Sequence, residues 1–491
     1  MKLEPEQLYF KIPIPELNGS KEYKEFKSQL ERIDELLINS GIEAEAKLMA
    51  LEIESLDINR LLGRDEKLKI QRKAAQCLRY NIAIVLCGDS FRDFSVRLAD
   101  SHLLQRFCLL DRLNDMKMPS KSKINREKNY FSEEQIRSLL NKLIHNGCKD
   151  HANLNLENEL NLDTLLFDST CVPLNIHHPV DWVLLRDAAR SILKAVECIR
   201  SHGLKNRMTP PKGFMKEMNR LCMEMTHQND RKTSKKNRKE ILRKMKSHLK
   251  IIVSHGLRHR TLLTDRWHKT TISEMKRVQL IKRIDNILDE IDLIINQAHE
   301  RIIGERHVKS HEKLLSLYEK EARVYKRGKA GKDVEFGLQL GLTESNDGLI
   351  IDWHLHKDQP MNDTKYVRMF VERMKDNYPD QKVKYFVGDR GCSSKQNTKY
   401  LEKNGIKDCL CSRDPKELKN KMELQYYSML QTRRSQTEGR IGIFKNKFLG
   451  GVLKAKGFKN QSQYIAWAVL SHNLWVLSRL PKTETSYKIP A

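Results

Sequence analysis

The stretch "ELNLDTLLFDST" (residues 159–170) decides the fold class, because it places a strand pattern in a chain that otherwise begins as helix. Its apolar run Thr-Leu-Leu-Phe is bounded by acids, which predicts a short buried strand that ends at Asp168. A second stretch, "KVKYFVGDRG" (residues 382–391), predicts a strand that runs into a turn at Gly388 and Asp389. Sites in open sheets form at the carboxyl ends of strands. Both aspartates are therefore candidate functional residues.

The flanking sequence divides the chain into three parts. Apolar residues recur at helical spacing through residues 1–150, which predicts an all-helical N-terminal domain. Residues 155–181 and 326–480 alternate strands with helices, include a hairpin around the turn "ESNDG", and form the predicted core. Residues 182–325 form a predicted basic helical insertion. The expected fold class is α/β, a mixed sheet flanked by helices.

The charge of the chain points to a polyanionic partner. Its 491 residues include 90 Lys and Arg against 64 Asp and Glu, a formal net charge of +26. Such an excess favours nucleic acid and predicts salt-sensitive binding; a generally basic protein without such a partner is the alternative. No apolar run has membrane-spanning length, and the N-terminus lacks the apolar region of a signal peptide. These features predict a cytoplasmic, nucleoid-associated protein without a membrane partner.

A third candidate acid lies in "TEGRIGIFKNK" (residues 437–447), where Glu438 is the single carboxylate among several cations. On a helix, Arg434, Glu438 and Lys445 share one face, because they are separated by four and seven residues. On that face the cations could hold the phosphates of a DNA strand while the glutamate holds a metal ion. A plain salt-bridge stripe is the alternative.

Together the three acids, Asp168, Asp389 and Glu438, offer the hard oxygen ligands that Mg²⁺ and Mn²⁺ prefer. Two such ions can activate a water or hydroxyl group and stabilise the leaving oxygen of a phosphodiester. Each aspartate taken alone is more often a turn residue than a catalytic one. The hypothesis of a two-ion site therefore requires that the three carboxylates meet in the fold.

The predicted insertion contains a strongly basic segment, "RKTSKKNRKEILRKMKSHLK" (residues 231–250), with ten basic residues and one acid. Acids do not interleave with these cations to form ordinary pairs four residues apart. The segment therefore predicts a surface that follows a phosphate backbone, with a solvated helix face as the alternative. The candidate DNA-binding residues here are Lys235, Lys236, Arg238, Lys239, Arg243 and Lys244.

The block around Glu438 resembles a motif of the insertion-sequence transposases that have a DDE catalytic core. In that family the third block reads Tyr, two residues, Arg, three residues, Glu, six residues, Lys. Arg434, Glu438 and Lys445 match the last three positions, whereas Gln431 stands at the Tyr position. The chain is therefore similar to the family in this block with one departure.

Two earlier blocks carry the same resemblance. The segment "LFDSTCVPLNIHHPVD" (residues 166–181) is similar to the first block, and "YFVGDRG" (residues 385–391) is similar to the second. The segment "RGKAGKDVEFGLQLGL" (residues 327–342) resembles the strand that follows the first acid in these enzymes. All the blocks occur in the order that the family has, which makes the set far more specific than any one of them.

The resemblance implies a ribonuclease-H-like core in which Asp168, Asp389 and Glu438 bind two Mg²⁺ or Mn²⁺ ions. It implies that water nicks the end of a mobile element and that the resulting 3′-hydroxyl then attacks target DNA. Lys445 would contact a phosphate near the terminus, and Arg434 would support the helix of Glu438 or contact DNA. The implied partners are terminal inverted repeats, target DNA and a second copy of the chain, in a dimer. Further candidates are Arg390, Arg440 and Lys447 as DNA contacts, and His177 and His178 as residues that order the site, touch DNA or serve as hydrogen-bonded turn histidines.

Three other functions compete with this one. A nuclease of the same superfamily would need the same acids but would not transfer strands. A non-catalytic DNA-binding protein derived from a transposase would not nick DNA at all. A zinc-dependent DNA-binding protein would need a ligand set such as Cys392, Cys409 and Cys411 with His354 or His356.

Overall fold

The structure is a computed structural model that describes most of the chain. It covers residues 2–6, 14, 16, 18–58, 62–111, 117–228, 233–326, 334–357 and 360–482. The chain divides into two compact units, Met1–Pro173 with Gln339–Ala491, and Leu174–Leu338. The domain boundaries expected from the sequence stay a prediction.

The first unit begins with helices and the first strand. Serine side chains at several helix starts accept a backbone N–H of the first turn, as Ser90 and Ser132 do, which is the preferred N-cap arrangement. Gly88 ends the third helix in the left-handed conformation, with φ of +68°. The elements are α1 (Lys21–Asn39), α2 (Ile42–Ile58), α3 (Arg64–Cys87), α4 (Phe91–Asp100), α5 (His102–Phe107), α6 (Lys121–Glu127), α7 (Glu133–Lys149) and β1 (Thr164–Pro173).

The second unit is mainly helical. Its helices bury an apolar core that includes Leu185, Ile192 and Leu242. The prediction that helix continues to Tyr325 was wrong at its end, because helix stops at Ile303 apart from one short 3₁₀ turn (Ser310–Glu312), and a strand begins at Arg323. The elements are α8 (Asp181–Ser201), α9 (Pro211–Thr226), α10 (Ser234–Arg266), α11 (Glu274–Ala298) with a following π-helical turn (His299–Ile303), and β2 (Arg323–Lys326), which pairs antiparallel with residues 334–337.

The remainder of the chain completes the sheet and its helices. The predicted hairpin around residues 344–348 is confirmed, since Leu340 pairs antiparallel with Leu355 and Thr343 with Asp352. The elements are β3 (Val334–Glu344), β4 (Ile350–Leu355), α12 (Asp363–Asn377), β5 (Tyr385–Gly388), α13 (Lys395–Lys403), β6 (Lys407–Leu410), α14 (Pro415–Met422), α15 (Gln425–Ile443), a π-helical turn (Phe444–Phe448) and α16 (Phe458–Leu477).

The sheet of the first unit is mixed. Its strands follow the order β3-β1-β5-β6, with β4 on the other side of β3. The strand β1 is parallel to β5, and β5 is parallel to β6, whereas β3 and β4 are antiparallel. The predicted α/β class is confirmed at this level. No helix in the described parts of the chain combines the length and the apolar character that crossing a membrane requires.

The strand β1 is longer than the sequence predicts. It extends through Asp168 to Pro173, so the prediction that the strand ends at Asp168 was wrong. The pairing of β1 with β5 ends at Leu166. On its other side β1 borders β3, and this second partner can keep β1 extended beyond Leu166. Asp168 therefore lies within a strand, at the level where the neighbouring β5 finishes.

Candidate functional site

The parallel pairing of β1 with β5 sets the level of the two candidate aspartates. The register ends with Leu166 opposite Val387. The same register extended by two residues places Asp168 opposite Asp389. Because neighbouring strands lie about 4.8 Å apart, the two side chains start from adjacent backbone positions at one end of β5.

The Asp168 carboxyl lies in an unfavourable electrostatic environment. The pKa of Asp168 is raised to about 6. The main cause is burial of the carboxyl, and the carboxylates of Asp389 and Glu438 contribute to the increase. The Ser169 N–H, which donates to Asp168 Oδ1 at 2.8 Å, and the Arg434 guanidinium oppose it. Asp389 and Glu438 are thus near enough to interact with Asp168 through their charge.

Asp389 is held by the turn that follows β5. Its Oδ1 accepts the N–H of Gly391 at 2.8 Å and that of Cys392 at 3.3 Å. A β-carbon on Gly391 would lie 3.0 Å from this oxygen and 2.9 Å from Asp363 Oδ2, so Gly391 lies between two carboxylates. Sequence reasoning did not single out Asp363 as a site residue, because an acid in the first turn of a helix is common for electrostatic reasons.

Glu438 reaches the site from α15. Its side chain is 53% exposed, and its Oε1 lies 3.5 Å from Arg434 Nη1. Gln431, one turn earlier, accepts from Arg434 Nε at 3.2 Å and donates to the backbone oxygen of Cys409 at 2.7 Å. The residue at the family's Tyr position therefore ties Arg434 to β6 through an amide.

Lys445 approaches the same end of β1. It lies in the π-helical turn after α15, and its Nζ donates to Thr170 Oγ1 at 3.1 Å. Thr170 and Asp168 are two residues apart on a strand, so their side chains project from the same face. Turns of π-helix recur at functional sites, and this one places an ammonium group beside the face that carries Asp168.

Comparison with known families gives a match over part of the chain. Residues 303–474 match the family model described as a transposase DDE domain. The chain carries a transposase DDE domain. The match confirms the resemblance to insertion-sequence DDE transposases; Asp389 and Glu438 lie within the matched residues, whereas Asp168 precedes them. The chain has no match among the curated proteins and none among the solved structures that were compared.

The acids of the DDE domain and Asp168 offer hard oxygen donors, which fit Mg²⁺ or Mn²⁺ by their chemistry. Within the described residues, no three His, Cys, Asp or Glu side chains are already gathered as a ligand set. Glu438 is the member that is out of place, since it is largely exposed and rests against Arg434. A change of its side-chain rotamer, which exposure permits, would be needed to complete the set.

The cysteines do not support the zinc alternative. A zinc site needs about four ligands close together, and in the part of the chain that the structure describes no three His, Cys, Asp or Glu side chains lie together as such a set. Cys392 and Cys409 are free and buried, and Cys411 is free as well. All three are therefore free thiols of the fold.

Gly391→Ala is expected to displace the Asp389 carboxylate, because the added methyl group would overlap oxygens of two acids. Overpacking of this kind costs about 1–3 kcal/mol of stability, and we expect Mn²⁺ affinity, measured by calorimetry, to fall about tenfold or more. Gly439→Ala is the matched control beside the other acid of the DDE domain, since nothing lies within 4 Å of its β-carbon position. Equal Mn²⁺ affinities of the two variants would contradict the expected displacement.

The other candidate cations of the DDE domain have partners within the fold or face solvent. Arg440 Nη1 bonds to the buried Glu344, Lys447 Nζ lies 4.5 Å from the centre of the Trp475 ring, and Arg390 is exposed. Their DNA contacts stay predictions. For Arg440 the structure gives a second role, because its charge is committed to an ion pair.

Several cations of α10 form ion pairs with acids, so the prediction that acids do not pair with them was partly wrong. Lys235 and Lys239 both bond to Glu305, at 3.2 and 2.7 Å, and Lys244 bonds to Glu240 four residues before it. Glu305 lies after α11 and its π-helical turn, so the spacing of residues within α10 does not reveal it. Arg238 lies over the Trp182 ring at 5.9 Å. Arg231 and Lys232 lie outside the described residues.

One row of cations on α10 remains exposed. Lys236, Arg243 and Lys250 are spaced by seven residues, so they lie along one face of the helix, and all three are exposed. Among the ion pairs of the described residues none involves these three. His177 and His178, also in the second unit, are exposed, and the His178 ring meets Phe336 edge-on at 5.5 Å; their proposed roles stay predictions.

Proposed function

We propose that the chain is a DDE transposase that cuts the ends of an insertion sequence and joins them to target DNA. The observation that supports this proposal is that Asp168 and Asp389 lie at neighbouring positions of adjacent parallel strands, with Glu438 of α15 near enough to act on the charge of Asp168, in a chain of which residues 303–474 match a transposase DDE domain. The parallel β1-β5-β6 strands beside the β3-β4 hairpin support a ribonuclease-H-like core. We further propose that the enzyme acts as a dimer on DNA in the nucleoid.

Asp168, Asp389 and Glu438 would hold two Mg²⁺ or Mn²⁺ ions. Such ions, when bound, supply activation of the attacking water or 3′-hydroxyl and stabilisation of the leaving oxygen. The carboxyl of Asp168 has to be ionised to serve as a ligand, and its raised pKa means that burial first, and the charges of Asp389 and Glu438 second, oppose ionisation until a cation is present. A cation bound between these carboxylates would therefore favour their ionised forms.

The cations around the acids have a separate task. When Glu438 turns toward Asp168, its partner Arg434 keeps its bonds to Gln431 and presents its remaining donors to a phosphate. Lys445 is already held beside Asp168 by Thr170. These two cations would orient the scissile strand across the carboxylates and would stabilise charge that develops on its phosphate.

The direct experiment offers the purified protein a labelled duplex that ends in the inverted repeats flanking its gene, together with a supercoiled plasmid. With Mg²⁺ or Mn²⁺ we expect nicks at the element ends and labelled ends joined to the plasmid. Nicking without joining would favour the nuclease that lacks strand transfer. No metal-dependent nicking on any end sequence would reject catalysis and favour the non-catalytic DNA-binding protein.

The exposed row of α10 is expected to contact phosphates. The triple variant Lys236→Ala, Arg243→Ala, Lys250→Ala should bind duplex DNA more weakly at every sequence. The plot of log affinity against log salt concentration should flatten by about 2 to 3 units, because each lost phosphate contact removes about 0.9. Fluorescence anisotropy at several salt concentrations measures both effects.

The matched control for this row is the double variant Lys235→Ala, Lys239→Ala. It removes cations from the same helix that already neutralise Glu305, so its salt dependence should change much less than that of the triple variant. An unchanged slope in the triple variant would reject the assignment of this face to DNA.

A further inference from the structure

A buried acid on β3 holds two arginines of α15. Glu344 is 4% exposed, and its Oε1 accepts from Arg433 Nη2 at 2.8 Å and from Arg440 Nη1. Arg433 Nη2 also donates to the backbone oxygens of Ser345 and Asn346, at 3.2 and 2.9 Å. The guanidinium groups therefore fasten α15 to the end of β3 and to the turn that follows it.

This contact uses one face of α15, and the site uses another. Arg433 and Arg440 are seven residues apart, so they project in nearly the same direction. Glu438 is five residues after Arg433, which places it roughly 140° around the helix at 3.6 residues per turn. The bonds from Arg433 and Arg440 to Glu344 therefore fix the rotation of α15 about its axis, and with it the direction in which Glu438 points.

The turn after β3 is built to admit Arg440. Gly348 has a φ of +88°, and a β-carbon there would collide with the Arg440 guanidinium. A glycine suits this backbone conformation and also leaves room for the close approach of a charged group. The β3-β4 turn, Glu344 and Arg440 therefore form one contact. This contact does not include Asp168 or Asp389.

We propose that Glu344 is a positioning residue that aims Glu438 at Asp168 through Arg433 and Arg440. The proposal rests on the proposed function, because it concerns the same acids. It explains why the cations near Glu438 fall into two groups: Arg434 and Lys445 face the site, while Arg433 and Arg440 neutralise Glu344. Glu344 itself touches neither DNA nor the reacting atoms in this assignment.

The chain contains a matched control for the purely structural effect of losing a buried acid. Asp352 on β4 is also buried, at 5% exposed, and also forms ion pairs with two arginines, Arg137 at 2.5 Å and Arg373 at 3.3 Å. Neither arginine lies on α15. Asp352→Asn thus removes a buried charge between two guanidinium groups from the same unit without releasing the helix of Glu438.

The experiment compares Glu344→Gln with Asp352→Asn in the full-length protein. We expect both variants to lose thermal stability. We expect only Glu344→Gln to bind Mn²⁺ more weakly, by about tenfold or more, and to nick end DNA with a kcat reduced about 10- to 100-fold at an unchanged KM, because small misplacement of a catalytic group has effects of that size. Electron paramagnetic resonance measures the Mn²⁺ affinity without reference to activity.

Glu344→Asp guards against simple unfolding of the glutamine variant. It keeps the charge and withdraws the carboxylate by one methylene, so it should retain the fold and still weaken Mn²⁺ binding and kcat. Mn²⁺ affinity and kcat equal to those of wild type in Glu344→Asp, or equal losses in Glu344→Gln and Asp352→Asn, would overturn the proposal. A wild-type protein that neither binds Mn²⁺ nor nicks DNA would instead overturn the proposed function.

Discussion

Asp389→Asn is expected to reduce metal-dependent nicking of end DNA on the order of 1000-fold, since electrostatic stabilisation by a bound metal contributes several kcal/mol and about 1.4 kcal/mol corresponds to a tenfold rate change. The fold should survive, because the asparagine oxygen can still accept the N–H groups of Gly391 and Cys392 that Asp389 accepts. Rates of nicking on a labelled duplex at saturating Mg²⁺ measure the loss, and binding of the duplex should remain.

Asp376→Asn, at an exposed position of α12, is the control for loss of one negative charge from the same unit. Its nicking rate should equal that of wild type. Asp389→Asn with full activity would remove Asp389 from the site, and with it the interpretation of the β1-β5 register as the basis of the active site.

Asp168→Asn is expected to make the metal-free protein more stable at neutral pH. The pKa of Asp168 is raised from 3.8 to about 6 in the folded state, so the folded protein binds more protons than the unfolded one between these values. Stability must therefore fall as pH rises through this window. At pH 8 the wild-type protein carries the full cost of the ionised carboxyl, and the variant should be more stable by about 3 kcal/mol.

The advantage of the variant should shrink as the pH falls below 6 and should vanish below 3.8, where wild-type Asp168 is protonated in both states. Urea unfolding in EDTA at several pH values measures it, since EDTA removes cations that would stabilise the wild type. A variant that is less stable than wild type at pH 8 would contradict the electrostatic account of the cluster. A larger free energy of unfolding together with a loss of activity is expected for a site in which burial and neighbouring carboxylates oppose ionisation of Asp168.

Sequence patterns predicted the parts of this site that depend on local order. The strands at Asp168 and Asp389 and the turn at residues 344–348 follow from apolar runs with polar ends. Helical spacing predicts the neighbourhood of Arg434 and Glu438 on α15, whereas Lys445 lies in the π-helical turn that follows. The end of β1 was misplaced because pairing with β3, a contact between distant segments, keeps the strand extended past Asp168.

The remaining features depend on tertiary contacts that a pattern does not contain. Arg440 was a candidate DNA contact in the sequence, and only the position of β3 reveals that Glu344 bonds to both Arg440 and Arg433. Glu305 likewise pairs with Lys235 and Lys239 across two segments of the second unit. Asp363 gave no signal beyond that of an acid at a helix start.

Joint binding of divalent cations by Asp168, Asp389 and Glu438 can be tested with crystals soaked in MnCl₂ and measured at the manganese absorption edge. We expect anomalous peaks at direct ligand distance, about 2.0–2.6 Å, from carboxylate oxygens of Asp168 and Asp389, with Glu438 turned away from Arg434 toward the ion. Manganese peaks only at other carboxylates, or none at saturating Mn²⁺, would contradict this joint binding.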